Sequence, residues 1–207
     1  MATTHPALRH VRRWLQRAGP AAGNDAELVR RFAKQGDQAA FAELVDRHGP
    51  MVLAVARRVV ADYQAAEDVF QATFLALARR AGRIRQPEAL PGWLHRTAYH
   101  IGLNAVRARA RRQRAEAVRH APPSASPPDL DARELLAILD QELARLPESL
   151  RVPLVLCCLE GLTQDEAATR LGWSPGSVRG RLERGRRLLR DRLARRGLTF
   201  AVGAGTT

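Results

Sequence analysis

Apolar side chains recur every three or four positions along most of this chain. Val, Ile and Thr nowhere alternate with polar residues for a useful length. Ala, Leu, Arg and Glu dominate, so both the period and the residue types are those of α-helices. The pattern predicts helices at 25–36, 38–60, 63–81, 87–111, 131–145, 148–160, 164–171 and 175–195. Pro153 falls inside the sixth and should kink it or mark its first turn. Between the fourth and fifth stand Pro122, Pro123, Pro127 and Pro128, without periodicity and too dense for a helix. No solenoid-type repeat is present. The expected fold is all-α, two small helical domains joined by a flexible, Pro-rich linker. The expected boundaries are an N-terminal extension at 1–23, a first domain at 24–112, a linker at 113–130, a second domain at 131–196 and a flexible tail at 197–207.

Composition narrows the functional classes. Of 207 residues 45% are apolar, enough for real cores and too many for a disordered chain. Lys+Arg 34 against Asp+Glu 21 leaves a formal charge of +13, which points to a polyanionic partner. The charge is concentrated: five arginines face one glutamate over 87–112, and nine face two acids over 173–207. Between them, 131–172 is acidic. No apolar run approaches the ~20 residues that span a bilayer, so no stable membrane insertion is expected. Cys157 and Cys158 stand side by side, which offers neither a disulfide framework nor zinc spacing and suits a reducing, cytoplasmic location. They read as small core residues. Residues 2–20 are acid-free and carry Arg9, Arg12, Arg13 and Arg17, reading as a basic extension that lacks the apolar core of a secretory signal.

The most specific pattern lies at 160–195. Thr163 followed by Glu166 has the spacing of a capping box, and Gly172 supplies a left-handed turn after Leu171. Ser174-Pro175 then restarts a helix with a cap and a first-turn proline. Two helices joined by so short a Gly-containing turn form a helix-turn-helix. In the second helix Val178, Leu182, Leu189 and Leu193 make one apolar stripe, while Arg179, Arg184, Arg187 and Arg190 point elsewhere and Arg181 lies on a flank. Guanidinium groups near such a helix start reach base edges in the major groove, and later ones neutralise phosphates. The plain alternative is a solvated Arg-rich surface helix.

The predicted helix at 87–111 divides differently. Trp93, Leu94, Ala98, Ile101 and Ala105 form an apolar side, and Arg96, His100, Leu103, Arg107 and Arg111 a second row with Asn104 and Trp93 at its margin. Cations interleaved with aromatic and amide groups suit a strand with exposed bases, and a solvated basic face is the alternative. At 63–81, Val69, Phe70, Thr73, Phe74 and Leu77 face inward, which leaves Asp68, Gln71 and Leu75 outward with Glu67 beside them. An apolar residue among polar ones on an outer face suits protein docking. Asp62, Glu67 and Asp68 lack the convergent partners a catalytic metal needs, so no metal or cofactor is expected.

Taken in order, these segments resemble the extracytoplasmic-function sigma factors of the bacterial sigma-70 family. Asp25–Arg31 and Gly36–Leu44 resemble the start of that family, and Glu67–Leu75 its segment for docking on RNA polymerase. Gly92-Trp93-Leu94 with the helix behind it resembles the −10 reading region. Leu146-Pro147, Leu159–Thr163 and the helix-turn-helix resemble the −35 reading region. The resemblance implies a protein that is not an enzyme, binds core RNA polymerase and promoter DNA, and needs no cofactor. It assigns Asp68 and Gln71 to polymerase contact, with Glu67 and Leu75 as neighbours in that surface. It assigns Trp93, Arg96, His100, Asn104 and Arg107 to the −10 element, with the loop at 82–91 capturing a flipped base. It matches Ser177, Arg179 and Arg184 to positions that touch the −35 element, and Arg181 and Arg187 of the same helix join them as expected contacts. His100 stands where the family often has Asn, Gly180 where a small polar residue is frequent, and Glu183 at a common contact position. An anti-sigma factor would be a further partner of the family's kind, although no residue here names one. The alternative is a stand-alone helix-turn-helix regulator, which would leave the second basic helix and the outward Asp68/Leu75 face unexplained.

Overall fold

The computed structural model describes residues 24–60, 62–117 and 132–198. The N-terminal extension, most of the expected linker and the tail from 199 onward lie outside the described residues. Every described element is helical.

Four α-helices and two 3₁₀ turns between 24 and 117 build the first unit on polar caps. Helix α1 (Asp25–Gln35) is capped by Asn24, whose side chain accepts from Glu27 N at 2.8 Å, and ends at Gly36, where φ is 66°. Asp37 caps α2 (Gln38–Val59), and Asp62 caps α3 (Tyr63–Arg80). Two 3₁₀ turns, Ala81–Arg83 and Pro87–Ala89, lead into α4 (Leu90–Ala117), which runs six residues past the end that periodicity predicts. Leu28, Leu44, Val52, Val55, Leu77 and Leu94 fill the core. Phe32, Phe41, Phe70 and Phe74 interlock at its edge, with ring centroids 4.6 to 6.4 Å apart.

The second unit consists of α5 (Ala132–Ala144), α6 (Glu148–Leu154), α7 (Gln164–Leu171) and α8 (Pro175–Ala194). Pro153 does not begin α6. The helix continues past it and then widens into a π segment over Val155–Leu159, where Glu160 N bonds to Val155 O. A proline removes one helical donor and crowds the preceding turn, and a wide turn is one way to absorb both. Val152, Leu154, Leu156, Leu171, Val178 and Leu182 form this unit's core.

The two cores interlock. Ala144 and Val155 of the second unit pack into the first core, and Ala89 of the first packs into the second. Gly92 permits a close approach: a Cβ there would lie 2.6 Å from Val152 Cγ2.

Candidate nucleic-acid and polymerase interfaces

The helix-turn-helix is built from its caps. Thr163 N donates to Glu166 Oε2 at 2.8 Å and Glu166 N to Thr163 Oγ1 at 3.3 Å, the reciprocal pair of a capping box. The amide and the hydroxyl of Thr163 both donate to Oε2 and hold the Glu166 carboxyl below the usual range. Gly172, at φ 64°, turns the chain, and Trp173 N closes back on Ala168 O at 3.0 Å. The Ser174 hydroxyl accepts from Ser177 N at 3.2 Å and starts α8.

Val178, Leu182 and Leu193 are buried and Leu189 is half-buried, the stripe that the sequence predicts. Gly185 completes it, since a Cβ there would lie 2.8 Å from Leu154 Cδ1. Arg179, Arg184, Arg187 and Arg190 are exposed on the outward side, together with Arg186. Ser177 is half-buried. Arg181, expected among the DNA-contacting side chains, instead lies 4.3 Å over the Trp173 ring and donates to the Ser177 hydroxyl and carbonyl. A cation over an indole face is a packing contact, so Arg181 fixes the turn rather than projecting from it.

On α4 the structure brings Arg96, His100, Asn104 and Arg107 onto one exposed face. Trp93 is half-buried against the first core, and Leu103, expected on the outward row, packs on that core as well. Partial burial and the neighbouring Arg96, Arg151 and Arg107 push the His100 imidazole below its ordinary value. It is therefore neutral at pH 7 and can both donate and accept hydrogen bonds. Arg83, Arg85 and Glu88 are exposed on the loop before this helix.

On α3, Asp68, Gln71 and Leu75 are exposed along one face, with Leu75 51% exposed and Glu67 half-buried beside them. Val69, Thr73, Phe74 and Leu77 are buried opposite. Among the described residues no group of His, Cys, Asp and Glu is placed to hold a metal ion. No described helix is long and apolar enough to cross a membrane.

Known proteins supply the frame for these faces. Residues 44–112 match the family model described as Sigma-70 region 2, and residues 136–189 match Sigma-70, region 4. The ECF RNA polymerase sigma factor SigE of Mycolicibacterium smegmatis is 38% identical over 183 residues, covering 84% of this chain and 70% of that protein. The RNA polymerase sigma factor CarQ of Myxococcus xanthus is 36% identical, with 81% and 97% covered. The chain belongs to the extracytoplasmic-function sigma factors of the sigma-70 family. As a member it is an RNA polymerase sigma factor that directs promoter-specific transcription initiation. Among solved structures, CnrH in complex with the cytosolic domain of CnrY is 31% identical, covering 83% of this chain and 97% of that one, at a TM-score of 0.38. The region 4 match holds the helix-turn-helix, and the region 2 match holds both the α3 face and the basic part of α4.

A set of residues that sequence periodicity does not single out joins the two units. His48 is fully buried, with Nδ1 2.8 Å from Glu160 Oε1 and Nε2 3.0 Å from Asp25 Oδ2. Arg170 Nη1 donates to Glu160 Oε2 at 3.2 Å, and Arg47 Nη1 donates to Asp25 Oδ1 at 2.7 Å. Burial alone would push the His48 imidazole down, but the two carboxylates outweigh it and raise it to about 9. Burial likewise opposes the Asp25 charge, yet His48, Arg170 and Arg47 hold that carboxyl well below the usual range. One local signal did exist. His48 occupies an apolar position on the Leu44, Val52, Val55 stripe, where a polar residue needs a buried partner.

Proposed function

We propose that this sigma factor docks on core RNA polymerase through Asp68, Gln71 and Leu75 of α3, with Glu67 beside them. Arg179, Arg184 and Arg187, with Ser177 at the helix start, contact duplex DNA at the −35 element, while Arg181 holds the turn that presents them. Arg96, His100, Asn104 and Arg107 follow the non-template strand at the −10 element as the duplex opens. Trp93 backs that face from the core, and the loop at 82–91 receives a flipped base.

The observation that carries this reading is the coexistence of three outward faces on one chain: an arginine face on a helix-turn-helix, a mixed basic and amide face on α4, and an acidic face with an exposed leucine on α3. The first alone would suit a stand-alone regulator, and the other two give that reading nothing to explain them. Two modest readers on one chain gain from effective concentration, so selectivity arises from meeting both elements at the right spacing. The functional modules are residues 24–112 and 131–196. The protein acts without chemistry of its own, in the cytoplasm where polymerase works.

Run-off transcription with core polymerase on genomic fragments tests the reading directly. Discrete transcripts that depend on the added chain are expected. No transcript, combined with tight binding of the isolated chain to a duplex site, would favour the regulator.

A further inference from the structure

Glu183 stands on the arginine face of α8 and is the one acid there. At ~100° per residue it lies ~40° from Arg179 on one side and ~40° from Arg187 on the other, with Arg186 three positions on. All four side chains are exposed. Carboxylates three or four positions from an arginine pair with it elsewhere in the protein, as Glu27 does with Arg30 and Glu43 with Arg47. Glu183 forms no hydrogen bond or ion pair with any described residue. A face that meets phosphates gains from each cation and loses from each anion, because duplex DNA carries one negative charge per ~1.7 Å. A carboxylate in this place weakens binding to every duplex unless the duplex donates a hydrogen bond to it.

The space in front of Glu183 is open. A Cβ on Gly180 would have only the end of Arg184 near it, at 3.7 Å, and a Cβ on Gly176 would have nothing within 4 Å. Packing against Leu154 accounts for Gly185, but no packing accounts for Gly180, and a glycine inside a helix weakens it. Helical side chains lean toward the N-terminus, so Glu183 reaches over the turn that Gly180 leaves bare. The floor of a major groove can come closer to the carboxylate there than any larger residue at 180 would allow.

Chemistry then narrows what it meets. A carboxylate only accepts. Guanine N7 and O6, thymine O4 and the phosphate oxygens are acceptors as well, so they repel it. The donors on the major-groove edges are the N4 amino group of cytosine and the N6 amino group of adenine. Adenine sets its donor beside N7, which would face the second carboxylate oxygen, whereas cytosine offers its donor with no acceptor of its own alongside.

We propose that Glu183 is a specificity-determining residue of the −35 reader, accepting a hydrogen bond from N4 of one cytosine in the major groove between the turns that carry Arg179 and Arg187. The proposal rests on the function given above, since it needs α8 in the groove.

The test uses holoenzyme assembled from the full chain and core polymerase. It transcribes a pool of templates built on a promoter found by run-off and randomised across its −35 window, and sequencing of the transcribed templates gives the preference at each position. The parent should favour a C·G pair at one position by about tenfold. Glu183→Ala should flatten that position and leave the others as they were. Glu183→Gln, whose amide pairs with adenine N6 and N7, should move the same position toward A·T. A change confined to one position is not the signature of a damaged fold. Should Glu183 merely dilute the charge of its neighbours, Glu183→Ala would raise transcription from all templates alike with base preferences unchanged, and the proposal is overturned. A window that Arg184→Ala alters and both Glu183 variants leave intact also overturns it, while the −35 assignment of α8 stands. A parent with no preference anywhere in the window refutes that assignment, and the role of Glu183 falls with it.

Discussion

The guanidinium of Arg170 reaches the carboxylate of Asp25, 145 positions earlier in the chain, with Nη2 3.3 Å from Oδ2. His48 sits between that carboxylate and Glu160, so two helical units share one buried group of charges.

Stability should depend on pH through His48. Its folded pKa is raised from 6.5 to about 9, so its contribution is complete below pH 6.5 and is lost as pH rises through about 9. The shift corresponds to at most about 3 kcal/mol. Urea midpoints measured from pH 6 to pH 10 should fall across this window. His48→Gln should remove the slope, and a flat wild-type profile would show that the imidazole is not charged in the folded protein.

Two glycines of α8 should respond oppositely to alanine. At Gly180 the nearest atom to an added Cβ is the flexible end of Arg184 at 3.7 Å, so Gly180→Ala should stabilise by roughly 0.5–1 kcal/mol through helix propensity. At Gly185 the same carbon meets Leu154 Cδ1 at 2.8 Å and Leu150 O at 3.3 Å. Overpacking of that kind costs about 1–3 kcal/mol and outweighs the propensity gain. Thermal denaturation of the two variants side by side checks the prediction.

Asp68→Lys should abolish assembly with core polymerase and leave the melting temperature unchanged, because Asp68 is exposed on the outer face of α3. Gel filtration with core enzyme and a thermal scan make the comparison. Normal co-elution would remove α3 from the docking assignment.

Arg184 and Arg181 should separate on one helix. Arg184→Ala should weaken promoter binding by about 1–3 kcal/mol if it reads a base, or lower the salt slope by about one if it holds a phosphate. Arg181→Ala loses its seat over Trp173 and should lower the melting temperature while leaving the salt slope as it was. Holoenzyme binding titrated across salt concentrations distinguishes the two roles.

Helix positions were readable because their determinants are local. Asn24, Asp37, Asp62, Thr163 and Ser174 each cap a helix within three residues of themselves, and Gly36 and Gly172 end one. The buried stripe of α8 follows from the same period. The outward arginines were equally plain, since two acids cannot neutralise the nine arginines of that stretch. What periodicity could not supply is pairing between distant segments. His48 meets Glu160 112 positions away, and Asp140 meets Arg58 82 positions away. Nor does spacing show that Arg181 folds over Trp173, because a flank position is compatible with either direction. Leu103 illustrates the same limit on α4, where the first core claims a side chain whose row otherwise faces outward.

The bare backbone of α8 at Gly185 lets Leu154 lie directly against the reading helix. A helix wedged in this way cannot roll or slide to re-aim itself, so its orientation is inherited from the body of the unit. Any drift in promoter taste must then proceed by exchanging outward side chains one at a time, with the scaffold left untouched.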